Sequence, residues 1–394
     1  MTILKLALKN LLGAGLRTWL NVFVLSLSFV LIIFTQGLLE GMNKQAEEAM
    51  VASEVGGGHF QHPAYDPYDP LSLTDAHGPV PESLAALAAA GHAAPVLVIQ
   101  GTIYPKGRLF TVRVKGIDPG QTVVNIPTSF LATASAADEI PVLIGSRMAK
   151  MTGLKKGNTF TLQWRDAHGT FDARDATVVE VMKTSVQTID SGQVWVPLAR
   201  LREMTGFDGQ ATFVILARDA ALPAAGAAGG WVLRGRDDFL SDLRAMVESK
   251  SAGSSILYAI FLALAMLAIF DTQVLAIFHR RREMGTLMAL GFTRGKVIGL
   301  FTLEGMLNGV LAALVAAAYG VPLLSWIART GWALPGDMDS YGFAIGERIF
   351  PAYGLGLVAG TTVLVLLVTT VVSFLPTRKI AKLKPTDALR GRMT

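Results

Sequence analysis

Two carboxylates stand inside long apolar stretches, where a charge is costly. Asp271 lies near the end of the apolar run 254–278, and Glu304 lies near the start of the run 297–327. An ionisable side chain within a membrane-spanning helix is a functional candidate by default, because hydrocarbon offers its charge no hydration. Both residues are therefore candidates for a transport path or a gate. The alternatives are contact with a neighbouring helix or a position near the cytoplasmic interface.

A second group of polar side chains lies between residues 56 and 81. His59 and His62 are followed closely by Asp66 and Asp69, and these residue types can bind metals. Metal sites usually show a fixed ligand spacing, and a proline-rich stretch without that spacing is a weak signal. The sequence therefore favours solvated polar side chains here and predicts no metal site.

Nothing in the chain predicts a nucleotide site or a catalytic centre. The segment Gly291–Val297 comes nearest to a phosphate-binding loop, but its glycine spacing is wrong and it lacks a hydroxyl for magnesium. There is no H-E-x-x-H, G-x-S-x-G or dinucleotide-binding glycine motif. The absence of cysteine also excludes disulfides, thiolate metal sites and cysteine nucleophiles. We expect no enzyme activity and no cofactor on this chain.

The most informative motif is a short basic and apolar stretch between two apolar runs. Its periodicity predicts a short helix with an apolar face, flanked by charged residues and closed by a glycine. One interpretation is a helix on the membrane surface. The other is a coupling helix that docks into a soluble partner through Arg281, Arg282, Glu283, Met284, Leu287, Leu290 and Gly291.

The composition indicates that these residues are positioned by membrane helices. Hydrophobic residues make up 51% of the 394 positions and charged residues only 16%, which is unusual for a soluble protein. A hydrocarbon core about 30 Å thick needs ~20 apolar residues per helix. Four stretches satisfy this requirement, and we assign the spans to residues 18–42, 251–278, 297–327 and 352–376. The third is expected to kink or to end before Pro322.

The basic residues indicate which side each connection faces. Residues 1–17, 279–296 and 377–394 together carry 14 basic and two acidic residues. The positive-inside rule therefore makes both termini and residues 279–296 cytoplasmic. Residues 1–17 are expected to form an amphipathic elbow helix. Residues 43–250 and the short loop 328–351 then lie outside. Because the basic residues form no continuous stripe, nucleic acid is not an expected partner.

The segment 43–250 is long enough to bury a core of its own. Period-two alternation predicts strands at Phe110–Lys115 and Phe160–Trp164, and helical periodicity recurs at several other positions. A last predicted helix, Asp237–Glu248, leads directly into the second span. The predicted fold is an α-helical integral membrane protein with four transmembrane helices in a 1 + 3 arrangement and a large mixed α/β extracytoplasmic domain. Residues 56–81 are expected to form an irregular loop.

Two segments carry a resemblance to a known family. The stretch RRREMGTLMALGFTRGKV (residues 280–297), followed by Leu303-Glu304-Gly305, resembles the loop between the second and third spans of the FtsX/MacB-type ABC permeases. Residues 376–390 resemble their C-terminal tail. The large domain is similar to that of the lipoprotein-releasing LolC/LolE-type subunits in its motifs at 114–119, 142–149, 153–158 and 194–198. MacB-like exporters carry similar motifs.

The resemblance implies a permease subunit in a bacterial inner membrane, with its large domain in the periplasm. ATP and magnesium would be bound by a cytoplasmic ABC ATPase dimer, and a second permease subunit, identical or homologous, would complete the complex. A lipidated or amphipathic substrate would be extracted from the outer leaflet and passed to a periplasmic acceptor or adaptor. The lipid-facing sides of the first two spans would form its cavity, with Phe29, Phe34, Phe261, Phe270, Asp271 and Glu304 as candidate residues.

Two other functions are compatible with the same resemblance. A MacB-like efflux permease would work with a periplasmic adaptor and an outer-membrane channel. An FtsX-like transducer would instead activate a cell-wall hydrolase and transport nothing. The sequence alone leaves these alternatives open.

Overall fold

The computed structural model describes residues 15–132, 139–184, 186–220, 228–241, 244–245, 280–333 and 348–381, with the single positions 5, 7, 263, 267, 270 and 274. The chain divides into two units. One contains residues 1–43, 248–333 and 348–394, and the other contains residues 44–247 and 334–347.

The first helix, α1, runs from Gly15 to Met50. At 1.5 Å per residue its 36 residues span roughly 54 Å, well beyond the ~30 Å of a hydrocarbon core. Its last third carries four charged residues, Glu40, Lys44, Glu47 and Glu48. This part of the helix is therefore suited to an aqueous environment. A π-helical turn, Val51–Val55, follows. Gly56 closes this turn by donating its N–H to the carbonyl of Val51 at 2.8 Å.

Eleven strands of the second unit follow in chain order among the described residues. They are β1 Gly58–Gln61, β2 Gly78–Pro79, β3 Ala93–Tyr104, β4 Phe110–Ile117, β5 Ile140–Gly145, β6 Thr159–Arg165, β7 Phe171–Met182, β8 Gln193–Pro197, β9 Gln210–Ala211, β10 Phe213–Leu216 and β11 Val232–Gly235. The alternating segments predicted as strands correspond to β4 and β6. The predicted loop 56–81 is partly wrong, because Gly58–Gln61 pairs with both β10 and β11.

Nine of these strands form one mixed sheet, in the order β11-β1-β10-β3-β4-β8-β5-β7-β6. Strand β6 also pairs with the end of β3. Six strands, from β3 to β6, therefore close into a ring, and β10, β1 and β11 extend the sheet from the start of β3. Gly101 faces the interior of this ring, where a Cβ would come within 2.7 Å of Val114.

The apolar side chains of the ring separate into two cores because successive residues of a strand point to opposite faces. Leu97 and Ile99 of β3 belong to the inner core with Trp164. Val96 and Val98, one position out of phase, pack outside against Trp195 and Phe213. The outer core is covered by loop segments that include Leu73 and Ile126.

Short helices connect these strands, and those at 82–89, 146–152 and 198–205 match segments whose periodicity predicts a helix, whereas Gln187–Gly192 was not predicted. They are α2 Glu82–Ala89, α3 Ser146–Thr152, α4 Gln187–Gly192 and α5 Leu198–Thr205. The predicted helix 237–248 is described as helical at 236–241 and 244–245 only.

Among the described residues in the C-terminal part of the first unit, three helices have defined bounds. They are α6 Arg281–Ala289, α7 Arg294–Thr330 and α8 Leu355–Ala381, with a two-strand pair, β12 Trp332–Ala333 and β13 Arg348–Ile349, between the last two. Helix α7 continues through Pro322 instead of ending before it. Neighbouring helices can compensate the backbone groups that a proline leaves unpaired in a membrane helix.

Within the described part of the chain, three helices are long and apolar enough to cross a membrane. They contain the first and third predicted spans and all but the first three residues of the fourth. The second predicted span, 251–278, lies almost entirely outside the described residues, as do the elbow helix apart from positions 5, 7 and 15–17 and the tail beyond residue 381. The structure therefore does not confirm the count of four.

Candidate functional site

Helix α6 is fixed to the start of α7 by a small apolar cluster. Met284 is fully buried and packs with Val297, Leu300 and Phe301. Ala7, from the predicted elbow segment, is buried in the same cluster. The turn between α6 and α7 needs Gly291, whose φ of +92° is unfavourable for any residue with a side chain. The predicted coupling segment is thus a helix seated on a span, with its own small core.

An ion pair fixes the same helix from its N-terminal end. Arg280 Nε donates to Glu283 Oε2 at 2.7 Å, and Arg280 Nη1 donates to Glu304 of α7. The guanidinium also lies 4.7 Å from the centre of the Phe301 ring. Glu304 is only 4% exposed. Its charge is therefore neutralised by Arg280, and the structure favours helix contact over an open transport path.

The outward side of α6 is made of a different set of residues. Leu290, directly after the helix, is 73% exposed, and Glu283 and Thr286 are exposed as well. Leu287 is half-buried in the cluster with Met284. Leu287 and Leu290 therefore do not form one exposed docking face, because Leu287 contacts the α7 cluster whereas Leu290 is exposed. The side chains of Arg281 and Arg282 lie outside the described residues.

Phe29 and Phe34, two of the phenylalanines predicted to line a lipid-facing cavity, belong to one cluster of α1, α7 and α8 residues. Phe29 is 1% exposed and packs inside the bundle against α7 and α8 residues, including Ala312 and Val365. Phe34 is half-buried and meets the ring of Trp332 edge-on at 5.4 Å. Phe29 is therefore enclosed by helices, and Phe34 contacts the strand β12. Phe261 and Asp271 lie outside the described residues.

Phe270 lies in an open groove between the described second-span residues and α8. Its walls are entirely apolar, and its volume of about 420 Å³ is in the range of ligand pockets. The lining residues are Ala263, Leu267, Phe270, Leu367, Val368, Val371 and Val372.

Small and polar side chains hold α1, α7 and α8 together. Thr361 of α8 donates to Gln36 of α1 at 2.8 Å. A Cβ at Gly309 would come within 2.9 Å of the Thr369 hydroxyl, so α7 and α8 approach too closely for any larger residue there. Close approach through small residues is the usual way in which membrane helices associate, since burial from water contributes little in lipid.

In the second unit, the expectation that His59 is solvated was wrong. It is 3% exposed, in the sheet rather than in a solvated loop, and it stacks on Phe213 with ring centres 4.8 Å apart. Burial lowers the pKa of His59 to about 4, because an imidazolium here would lose its hydration. Among the described residues, no group of three His, Asp or Glu side chains could hold a metal ion.

Comparisons with known proteins identify both units. Residues 18–228 match the MacB-like periplasmic core domain family, and residues 255–385 match the FtsX-like permease C-terminal family. The macrolide export ATP-binding/permease protein MacB of Neisseria gonorrhoeae is 24% identical over 235 residues, which cover 56% of this chain and 34% of that protein. MacB of Chromobacterium violaceum is 28% identical over 218 residues, or 51% and 31% of the two chains.

Two other similarities were found. An uncharacterized ABC transporter permease of Methanocaldococcus jannaschii is 26% identical over 137 residues, covering 34% of this chain and 31% of that protein. The crystal structure of the extracellular domain of the noncanonic ABC-type transporter YknZ from Gram-positive bacteria covers 48% of this chain and 94% of that one, at 15% identity and a TM-score of 0.27. The chain spans about a third of the length of the curated relatives it matches.

Proposed function

The chain belongs to the MacB/FtsX type of ABC transporter permeases, and we propose that it is the membrane subunit of a transporter whose ATP is hydrolysed by a separate ATPase docked on α6. The observation that carries this proposal is the attachment of α6. One side of this short helix is fixed to α7 by Met284 and Arg280, and the other side presents Leu290 and Glu283 to solvent.

Such an attachment can transmit movement. A partner that binds the exposed side of α6 would push on the buried cluster and, through Arg280 and Glu304, on the body of α7. Helix α7 in turn is packed tightly on α1 and α8 through Gly320 and Gly309. Since packed interfaces move as units, a displacement of α6 should shift this group of helices together.

For the substrate, we propose a lipidated or amphipathic molecule taken from the outer leaflet. The apolar groove beside Phe270 supports this, because its walls offer no polar group to a hydrophilic solute. A MacB-like export function is the second candidate and is favoured equally by the family matches, since two of the relatives are macrolide export proteins. In either case we expect a dimeric permease, a bacterial inner membrane location and a periplasmic acceptor or adaptor.

Purification of the full chain from its native membrane tests the function. We expect an ABC ATPase to co-purify, ATP hydrolysis to follow that ATPase, and mass spectrometry to find lipidated protein in the preparation. A periplasmic adaptor with no lipidated protein would favour export instead. A cell-wall hydrolase as the stable partner, with no transported molecule, would contradict transport altogether.

Topology can be tested separately, because the chain contains no cysteine that would give a background. Leu109 and Leu290 are exposed to similar extents, 63% and 73%. In intact spheroplasts, an impermeant thiol reagent should label Leu109→Cys but not Leu290→Cys, and lysis should make the two react equally. The reverse pattern would invert the proposed orientation.

A further inference from the structure

The end of the first helix is seated on the sheet through one buried ion pair. Glu54, in the π-helical turn, accepts a hydrogen bond from Lys115 Nζ of β4 at 2.6 Å, and the Lys115 side chain is only 3% exposed. Gln193 Nε2 of β8 lies 3.3 Å from the same Glu54 oxygen. The ammonium also lies 5.1 Å from the centre of the Trp195 ring. Residues far apart in the chain thus meet at a single carboxylate.

The same turn is attached by its backbone and by its neighbours in the chain. His59 Nε2 lies 2.8 Å from the Glu54 carbonyl oxygen, so this nitrogen carries the proton and donates it. The N–H of Asn125 donates to the carbonyl of Ala52 at 2.7 Å. A larger displacement of the turn would break all of these contacts together.

The segment that leaves the domain is bound to the segment that enters it. Arg244 makes a two-pronged contact with Glu47, at 2.8 and 3.0 Å. Above it, Leu240 is buried with Val51 and Val55. The two connecting segments therefore form a pair, and Glu54 fixes this pair to the sheet.

A buried ion pair can hold the turn on the sheet and still allow the two to separate. Desolvation of the two charges cancels most of their attraction, so a pair of this kind adds little net stability. If the turn moves away, both ions recover their hydration. His59 Nδ1, Gln193 Oε1 and Trp195 Nε1 are buried without a hydrogen-bond partner in the described part of the chain, and opening would let them bond to water. An apolar pair at the same place would hold the turn permanently.

We propose that the Glu54–Lys115 pair is a reversible seat, which opens and closes as the first helix passes movement to the sheet. The two residues act as positioning residues, because any effect that they have is exerted through the turn that they hold. The part of this inference that involves ATP rests on the proposed function, whereas the seat itself does not.

The seat can be measured in the full-length chain in detergent, without any ATPase. In the cysteine-free background, Ala52→Cys with Asn125→Cys places two thiols where the backbones already touch. We expect Glu54→Gln or Lys115→Met to slow oxidation of this thiol pair at least tenfold, because each leaves one buried ion without its partner. Lys156→Met breaks the exposed Lys156–Glu180 pair of the same domain and should change the rate less than twofold. Unchanged oxidation rates in both single variants would overturn the proposal that this ion pair holds the turn on the sheet.

The decisive variant combines Glu54→Met with Lys115→Met. In detergent it should oxidise at least as fast as the parent and melt no lower, because an apolar pair can replace a buried ion pair without loss. In complex with the ATPase, Mg-ATP should change the oxidation rate of the parent at least fivefold and leave the double variant unchanged. An equal response in both would show that the pair is only structural. A parent that ignores Mg-ATP, although its single variants behave as expected, would contradict the proposed function instead.

Discussion

Leu290→Asp is expected to weaken ATPase docking strongly while leaving the membrane fold intact. Leu290 is 73% exposed and lies at the end of α6, beyond the cluster that fixes the helix. Burying one leucine at an interface contributes about 1.5–3 kcal/mol, and a carboxylate left unpaired in the same place costs more. Docking should therefore weaken by roughly tenfold to a hundredfold. The measurement is the amount of ATPase that co-purifies with a monodisperse variant and the ATP hydrolysis of that preparation.

Two controls separate docking from damage. Leu109→Asp introduces the same change at a leucine of the other unit that is 63% exposed, and it should leave ATPase binding unchanged. Leu287→Asp should instead destabilise the attachment of α6, because Leu287 packs beside Met284. If Leu290→Asp retains the ATPase in normal amount, α6 is not the coupling helix, and a helix lying on the membrane surface explains the motif better.

Arg280→Ala should release α6 from α7. Removing one partner of a buried ion pair costs about 3–5 kcal/mol, and we expect about 2 kcal/mol here because the Arg280 side chain is 29% exposed. A single cysteine at Met284, which is fully buried in the native protein, reports this opening. Its labelling by a thiol reagent should accelerate roughly thirtyfold, since 1.4 kcal/mol corresponds to a factor of ten.

Glu304→Gln is the matched control for this effect. It removes the charge that Arg280 neutralises but keeps a polar group of the same size, and Arg280 retains Glu283 as its partner. Labelling at position 284 should therefore increase less than fivefold. Equal acceleration of labelling in Arg280→Ala and Glu304→Gln would mean that the charge of Glu304 is required to hold α6 on α7. No acceleration in either variant would show that the apolar cluster alone fixes α6.

Local sequence patterns were sufficient to predict secondary structure where the surrounding solvent or the side-chain period allows only one kind. A run of about twenty apolar residues can satisfy its backbone in hydrocarbon only as a helix, which is why three of the predicted spans fall on long apolar helices. Alternation with period two likewise located β4 and β6. The same reasoning failed for Phe29, because a span that is apolar on every side carries no signal for which face meets other helices.

By itself, therefore, the sequence determined the class of protein. Its apolar runs and its charge bias define a membrane protein, because those features act through the nearest few residues and the surrounding solvent, and the motif at 280–297 carries the resemblance to a permease family. Only the tertiary structure decided which groups meet. Arg280 pairs with Glu304 across 24 positions, and Glu54 pairs with Lys115 across 61. An ion pair is specified by distance in space, and no local pattern encodes that distance. The difference between the half-buried Leu287 and the exposed Leu290 was decided in the same way, by the packing of α6 on α7.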